Sequence, residues 1–585
     1  MLAVQLLLTL IYIPPLSVSG APLWPVPTTQ SLGTGVLWLP DKLPFTVAVR
    51  NATQIYSTQN GTGAITTTSF LDDAIQRTSY YLYNDAFIPW KFHPRNQVFE
   101  PDLNGSKTTI TGVTLRVNAS DTSTFYKSKA GEVDESYTLT IQQNGQITIT
   151  GLSSVGMLRG LSTLEQLFYA HSSGGVYTPY SPVSISDRPK FAHRGLNMDV
   201  ARNYFPPSDI CRTLDALSWN KFNRLHLHIT DAQSWPLEIS ALPDLAGKGA
   251  YAPSLHYTPD DLKMIQEYGA YRGVEVIIET DMPGHTASIW FGYPDLITAF
   301  NVQPAWATYS AEPPTGQLKL NNTAVTTFLT ALWNDLLPRV SPYTSYFHTG
   351  GDEVNANAYL LDPGVKSNDS KVLQPLLQSF LDFNHNALRK AGLTPVVWEE
   401  QLLQWNLTLG SDVVVQTWGA VGPDSLAQTV QKGHKALAGD YNYWYLDCGH
   451  GAWVDSPPGA PSTAAFPYLD YCSPLKNWRT VYSYNPLAGV PANLSSLVLG
   501  GEVHMWAEQI DPSNFDSIAW PRASAAGEVL WSGAKDASGQ NRSQIEASPR
   551  LAEWRERMVR RGIMAGVVQM PYCTQNGSMC VGPGT

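Results

Sequence analysis

The sequence predicts an α/β protein, a (β/α)8 barrel preceded by a smaller α+β domain, and three observations carry that reading. The chain has 585 residues, which suits a barrel of about 250 residues or more plus a second, smaller unit. From His193 onward, eight short apolar runs recur, many ending in a carboxylate or an aromatic residue, with helical patterns between them. The region before them mixes strand and helix signals without that rhythm. Composition supports a packed protein: 43% of residues are hydrophobic, with 18 Trp and 28 Tyr, which excludes disorder over most of the length. Lys and Arg number 38 against 49 Asp and Glu, a net charge of −11, so the field repels polyanions and nucleic acid is not an expected partner. Only 15% of residues are charged, against about 25% in ordinary soluble domains. Ser, Thr, Asn and glycans are left to wet the surface.

Taken in order, Leu2 to Ile13 is an apolar run followed by Pro14, Pro15 and the small residues Val18, Ser19 and Gly20. Residues 1–20 therefore read as a signal peptide, although no Lys or Arg precedes the run; a buried N-terminal segment is the alternative. Sequons at Asn51, Asn60, Asn104, Asn118, Asn321, Asn368, Asn406, Asn493, Asn541 and Asn576 favour a secreted, extracellular glycoprotein. No later segment reaches the roughly 18–20 continuous apolar residues of a membrane span, and residues 582–585 carry no hydrophobic tail, so no membrane association is expected.

Residues 21–187 read as the α+β domain. Leu71 to Tyr83 and Val155 to Tyr169 are helical, and Tyr137 to Ile141 and Gln146 to Thr150 alternate around Asn144-Gly145, the dipeptide of a two-residue hairpin turn. No catalytic cluster stands out there. Residues 188–567 read as the barrel. Its strands are Gly195 to Val200, Arg224 to Thr230, Val274 to Glu279, Ser345 to Thr349, Pro395 to Trp398, Val413 to Trp418, Ala436 to Asp440 and Leu497 to Met505. Helices at Ser208 to Trp219, Pro259 to Tyr271, Ala324 to Leu337 and Val372 to Leu388 lie between them. Residues 568–585 form a tail closed by Cys573 and Cys580. Cys448 and Cys472 bracket a longer loop and Cys211 stands alone in a helical pattern, giving two disulfides and one buried thiol; zinc competes, but neither pair has the C-x2-C spacing.

Barrel chemistry gathers where strands end. Strand four ends in His348-Thr349-Gly350-Gly351-Asp352-Glu353-Val354-Asn355. Adjacent carboxylates there are costly unless one keeps its proton, and a carboxylic acid with a raised pKa is what protonating a glycosidic oxygen requires. The bland alternative is a helix cap beside a solvated acid. Strand two ends in Leu225 to Asp231 and strand three in Glu279 to His285. His226 and His228 share a strand face as two metal ligands would, but no His or Cys closes strands five or six to complete a site. No G-x-S-x-G elbow suggests a serine nucleophile. Trp398-Glu399-Glu400, Trp418, Tyr443 to Asp447 and Trp506-Ala507-Glu508 supply indoles for flat sugar faces and carboxylates for hydroxyls, although any one Trp is as readily core.

These residues resemble family 20 of the glycoside hydrolases, the β-N-acetylhexosaminidases, in their secreted fungal form. His348 to Val354 carries the resemblance most specifically. His193-Arg194-Gly195 with Asp199, His228 to Trp235, Asp281 to His285, Trp398 to Glu400, Tyr445 to Asp447 and Gly500 to Glu508 follow in order. The resemblance implies an exo-acting, retaining hydrolase of amino-sugar oligosaccharides that removes terminal β-linked GlcNAc, with GalNAc as a second candidate. It needs no cofactor and no metal. Glu353 would be the acid/base and Asp352 the residue orienting the substrate's acetamide, whose oxygen attacks the anomeric carbon to give an oxazoline-like intermediate. Tyr445 would bond the acetamide oxygen, and Trp398, Trp418, Trp506 and Trp478 would wall in its methyl. Asp231 and His285 would form a relay to Glu353, and Arg194, Asp447 and Glu508 would hold the hydroxyls. His226 reads as core. Family members pair through barrel-edge loops, which leaves a homodimer open, and a silent carbohydrate-binding protein is the second class weighed.

Overall fold

The structure is a computed structural model and describes residues 22–49, 65–105, 107–461 and 463–582. The proposed signal peptide and the sequons at Asn51 and Asn60 lie outside the described residues. Strands β1 (Thr29–Trp38), β2 (Phe45–Val49), β3 (Gly112–Val117), β4 (Tyr137–Ile141), β5 (Gln146–Gly151), β6 (Tyr169–Ala170) and β7 (Val176–Asp187) form one sheet. Its order is β1-β7-β4-β5-β3-β2, with β6 paired to β7. The β4–β5 hairpin holds one more loop residue than expected. Gln142 and Gln146 still pair, the Gly145 N–H donates to the Gln142 carbonyl, and Gly145 takes the left-handed φ of 86° that closes a three-residue loop.

Two helices, Thr67–Tyr80 and Ser154–Glu165, accompany the sheet. The first starts at Thr66, whose side chain and that of Ser69 cap each other's backbone. The second is buried at every residue because it lies between the sheet and the barrel floor, and it ends four residues before the expected Tyr169. There the Gln166 side chain accepts from the Trp24 N–H and donates to its carbonyl, turning the chain into β6.

Eight parallel strands close the barrel: β8 (His193–Asp199), β9 (Arg224–His228), β10 (Glu275–Glu279), β13 (Tyr346–His348), β14 (Thr394–Trp398), β15 (Val414–Thr417), β16 (Lys435–Ala438) and β17 (Val498–Met505). A two-stranded ribbon, β11 (Ile297–Thr298) with β12 (Gln317–Leu318), lies after β10, outside the barrel sheet. Helices Pro207–Trp219, Pro259–Tyr271, Thr323–Val340 and Ser370–Lys390 match the four expected. That at Pro259 has a Thr258–Asp261 capping box with proline in its first turn.

The strand period of two sets up the interior. Ile277, Tyr346, Val396, Val414 and Leu437 form an apolar layer. Two residues further along the same strand faces stand Glu279, His348, Trp398 and Gln416, all buried. The barrel is thus oily low down and polar toward its mouth. Among the described residues, no helix is long and apolar enough to cross a membrane.

Candidate active site

The mouth is organised by the turn after β13. Gly350 has φ 67°, and a Cβ there would collide with the Asp281 carboxylate, whose Oδ1 accepts the Gly351 N–H at 2.7 Å. This turn delivers Asp352 inward, at 7% exposure, and Glu353 outward, with its side chain 34% exposed. Glu353 itself has φ 47°, and so does His285 after β10. Two non-glycine residues in left-handed backbone cost about 1–2 kcal/mol each, which packing must offset. What the strain secures is their meeting: His285 Nε2 lies 3.3 Å from Glu353 Oε2. On its other side His285 Nδ1 is 3.1 Å from Asp231 Oδ1. A recess of about 280 Å³, open to solvent, is lined by His285, Glu312, Gln317 and Glu353 among others.

Beside the carboxylates stands an aromatic group. Trp398, Tyr445 and Trp506 pack in one cluster with the Cys448–Cys472 disulfide, and Trp418 lies against it. Trp418 stacks on Tyr445 at 6.0 Å between centroids and 14° between planes. Trp398 and Trp506 are 6.0 Å apart. The indoles are oriented by carboxylates: Trp398 Nε1 donates to Glu279 at 2.8 Å and Trp418 Nε1 to Glu400 at 3.0 Å. The disulfide fixes the segment just after Tyr445 and Asp447, and Asp447 Oδ1 lies 3.5 Å from the Trp506 N–H.

Burial dominates the acids here. It pushes Asp447 up to about 7 and Asp281 up to about 6, with Glu279 adding to the rise and His285 opposing it. Asp352 is raised well above the ordinary carboxylate range, by burial first and then by the charge of Asp281. Glu400 rises for burial and the proximity of Asp352, and Glu508 rises through burial against the pull of Arg202. Asp231 is held low, because Arg202, His285 and His228 outweigh its burial, and so is Glu279, through His228, His348 and His226.

Two expected site residues are elsewhere. Arg194 is fully buried at the start of β8, on the barrel floor. Its guanidinium donates to Glu135 at 2.6 Å and to the carbonyls of Lys221 and Phe191, and it faces the Trp531 ring at 5.0 Å. It joins the floor to the N-terminal sheet, at the wrong end of a strand whose chemistry lies at the other end. Trp478 begins the helix Trp478–Ser483 and packs on Tyr482 and under Arg479, outside the aromatic cluster. The arginine that does reach the mouth is Arg202, three residues past the end of β8. It contacts Asp199 at 3.2 Å, Asp231 at 3.1 Å and Glu312 at 2.5 Å, over the Trp506 ring at 5.2 Å. Asp281, Glu312 and Arg202 also line this region, although the sequence assigns none of them a role. For Arg202 the signal existed: it follows Asp199, at the strand's C-terminal end.

A comparison of the sequence with known families fits this geometry. The description "Glycosyl hydrolase family 20, catalytic domain" matches residues 191–534, and "beta-acetyl hexosaminidase like" matches residues 23–167. A beta-hexosaminidase of Arthroderma benhamiae is 43% identical over 95% of this chain and 97% of its own length. The chain belongs to glycosyl hydrolase family 20. It is therefore an enzyme that hydrolyses glycosidic bonds. Among other relatives, the chitooligosaccharidolytic beta-N-acetylglucosaminidase of Ostrinia furnacalis is 33% identical over 81% of this chain and 80% of its own length. The X-ray structure of Flavobacterium johnsoniae chitobiase superposes with a TM-score of 0.70 at 25% identity, covering 93% of this chain and 73% of that one.

In this family-20 enzyme the groups with ligand atoms close enough for a cation include His226, Glu279 and His348, and also Asp281, His285 and Asp352. The first set is engaged internally: His226 Nε2 and His348 Nδ1 lie 3.0 and 3.1 Å from Glu279. Both expected disulfides are present, Cys448–Cys472 and Cys573–Cys580. Cys211 is free and buried, with burial pushing its thiol up to about 11.

Proposed function

We propose that this family-20 enzyme removes terminal non-reducing β-linked GlcNAc from chitooligosaccharides or glycans by substrate-assisted, retaining hydrolysis. The observation that carries the reading is the division of labour between two adjacent carboxylates. Asp352 is buried beside the aromatic group with a raised proton affinity, while Glu353 reaches the open recess beside His285. A buried acceptor suits a neutral amide, and an accessible acid suits a leaving group.

In the first step Glu353 gives its proton to the glycosidic oxygen as the bond to C1 breaks. The acetamide carbonyl oxygen forms the new bond to C1, and Asp352 accepts the acetamide N–H as positive charge develops on it. Tyr445 donates to the acetamide oxygen and aligns it for attack; Trp398, Trp418 and Trp506 enclose the methyl. Glu353, now a carboxylate, takes a proton from water, whose oxygen attacks C1 from the leaving-group side and opens the oxazoline-like ring. Two inversions give retention. The internal nucleophile is effective because the pocket fixes its geometry, with effective molarities of order 10⁵ M or more. Arg202, in place of Arg194, joins Asp447 and Glu508 in holding the terminal sugar's hydroxyls, which makes the action exo. The apolar N-terminal run, the exposed sequons at Asn104, Asn118, Asn321, Asn368, Asn406, Asn493 and Asn541, and the disulfides support secretion as a glycoprotein.

The test is an inhibitor that mimics the intermediate. A thiazoline analogue of the oxazoline is expected to bind at least ~10²-fold more tightly than GlcNAc. Equal affinity for the two would remove substrate assistance.

A further inference from the structure

Beneath the mouth runs a line of buried groups that the mechanism above does not use. Glu502 Oε1 lies 2.6 Å from His193 Nε2, and its Oε2 lies 2.9 Å from His226 Nδ1. His226 Nε2 is 3.0 Å from Glu279 Oε2, and that oxygen is 2.5 Å from His228 Nδ1. His228 Nε2 is 2.7 Å from Asp231 Oδ2, and Asp231 Oδ1 leads to His285 and so to Glu353. Carboxylates and imidazoles alternate in one hydrogen-bonded line from β17 up to His285, whose Nε2 then lies 3.3 Å from the reacting acid. We infer that this chain governs proton delivery by Glu353, with His228 and Glu279 as positioning residues that act through Asp231 and His285.

Hydrogen-bond chemistry gives the first argument. An ionised carboxylate only accepts, and an imidazole placed between two of them must donate from both nitrogens. His226 and His228 are each placed so, and each binds a proton between two acids. Consistently, Glu279 and Glu502 raise His226 to about 9 against its burial, and Glu279 and Asp231 hold His228 well up. A second argument is cost. Charged pairs inside a barrel are no more stabilising than the apolar layer just below them, so a line of them is a poor brace. The third is direction: at its upper end His285 Nε2 is buried without a hydrogen-bond partner and faces Glu353.

The other charged groups around the chain fix the sign. Asp231 also meets Arg202, which is held by Asp199 and Glu312. His285 feels Asp281 and Asp352, and Glu279 also meets His348 and the Trp398 indole. As Glu353 releases its proton it becomes an anion beside His285, and the chain's positive members favour that release. Neutralising His228 leaves Asp231 and Glu279 less compensated, so the surroundings of Glu353 turn more negative and the acid gives up its proton less readily.

This inference rests on Glu353 being the general acid, and the test separates the two. Wild type, His228→Gln and Glu353→Gln are assayed on chitobiose and on the 2,4-dinitrophenyl β-GlcNAc glycoside, whose leaving group needs little protonation. For His228→Gln, kcat/KM is expected to fall ~10-fold or more on chitobiose and less than ~3-fold on the dinitrophenyl glycoside. The alkaline limb of its pH profile is expected to move up by ~0.5–1 pH unit. Equal losses on both substrates with an unmoved limb would overturn the inference. If His228→Gln does not fold, Glu279→Gln keeps the size of the side chain while one of its two accepting oxygens, which meet His226, His228, His348 and the Trp398 indole, becomes a donor; it takes the same leaving-group test, with equal losses again overturning the inference. A fully active Glu353→Gln would instead remove the reading on which the inference stands.

Discussion

Asp352→Asn is expected to make the enzyme slower and more stable at once. Asp352 is buried, and the charge of Asp281 adds to burial in raising its proton affinity. A carboxyl raised in the folded state binds its proton more tightly there than in the unfolded chain. Its contribution to stability therefore falls as pH rises above the unfolded value of about 4. While the folded group stays protonated, that loss is about 1.4 kcal/mol per pH unit, and an amide of the same shape does not incur it. Over each pH unit in which the folded carboxyl stays protonated, the variant should therefore gain about 1.4 kcal/mol on wild type. At about 2 cal/mol/K per residue, one-step unfolding of a chain this long has an entropy of ~1.2 kcal/mol/K, so the gain is ~1 °C in Tm for each such pH unit. Turnover should fall ~10²–10³-fold, as when one preorganised transition-state partner is removed. Differential scanning calorimetry at pH 5 and pH 7, beside kcat on p-nitrophenyl β-GlcNAc, reads both. A Tm several degrees below wild type at both pH values, or turnover within ~3-fold of it, would refute the reasoning.

The other predictions concern the arginines, the phenol and pH. Arg194→Met should lower stability by ~3–5 kcal/mol by leaving Glu135 buried with less compensation, yet leave KM near wild type in whatever folds. Arg202→Met should cost ~10–100-fold in kcat/KM through the lost charge-assisted bonds to substrate. Steady-state kinetics with thermal melts separates them, and a reversed pattern would restore Arg194 to the site. Tyr445→Phe should lower kcat ~10²-fold with little change in KM; an unchanged kcat removes its bond to the acetamide. Thermal stability should be greater near pH 5 than at pH 9. The raised acids Asp281, at about 6, and Asp447, at about 7, lose stability as pH climbs to those values, and His226 loses its share as pH rises through about 9. Melts across pH 5–9 would contradict this by rising steadily.

The barrel was readable because its strands are short apolar runs closed by distinctive residues, and the strand-four glycines announced a sharp turn before Asp352 and Glu353. Side-chain destinations were less readable. Arg194 and Arg202 flank the same strand, and the sequence does not say which arginine faces the N-terminal sheet until Glu135, far away in the chain, is packed against one of them. Trp478 is ambiguous for a like reason: an indole six residues past the end of a disulfide loop reads the same whether its helix faces the mouth or the periphery. His226 reads as core and is buried, but its two carboxylate partners come from β10 and β17, pairings that only barrel closure brings about. Glu312 sits in the connection between β11 and β12, where neither period nor motif marks it.

The most direct test of the central claim is release of p-nitrophenol from its β-GlcNAc glycoside by wild type and Glu353→Gln, in parallel, across about pH 4–7, a range that brackets a carboxylic acid acting as proton donor. The account predicts an active wild type and a variant crippled in turnover, with a loss of ~10²-fold or more when the leaving group is a sugar and less for p-nitrophenol. An inactive wild type that still binds chitobiose, or a variant as active as wild type on both substrates, would contradict it.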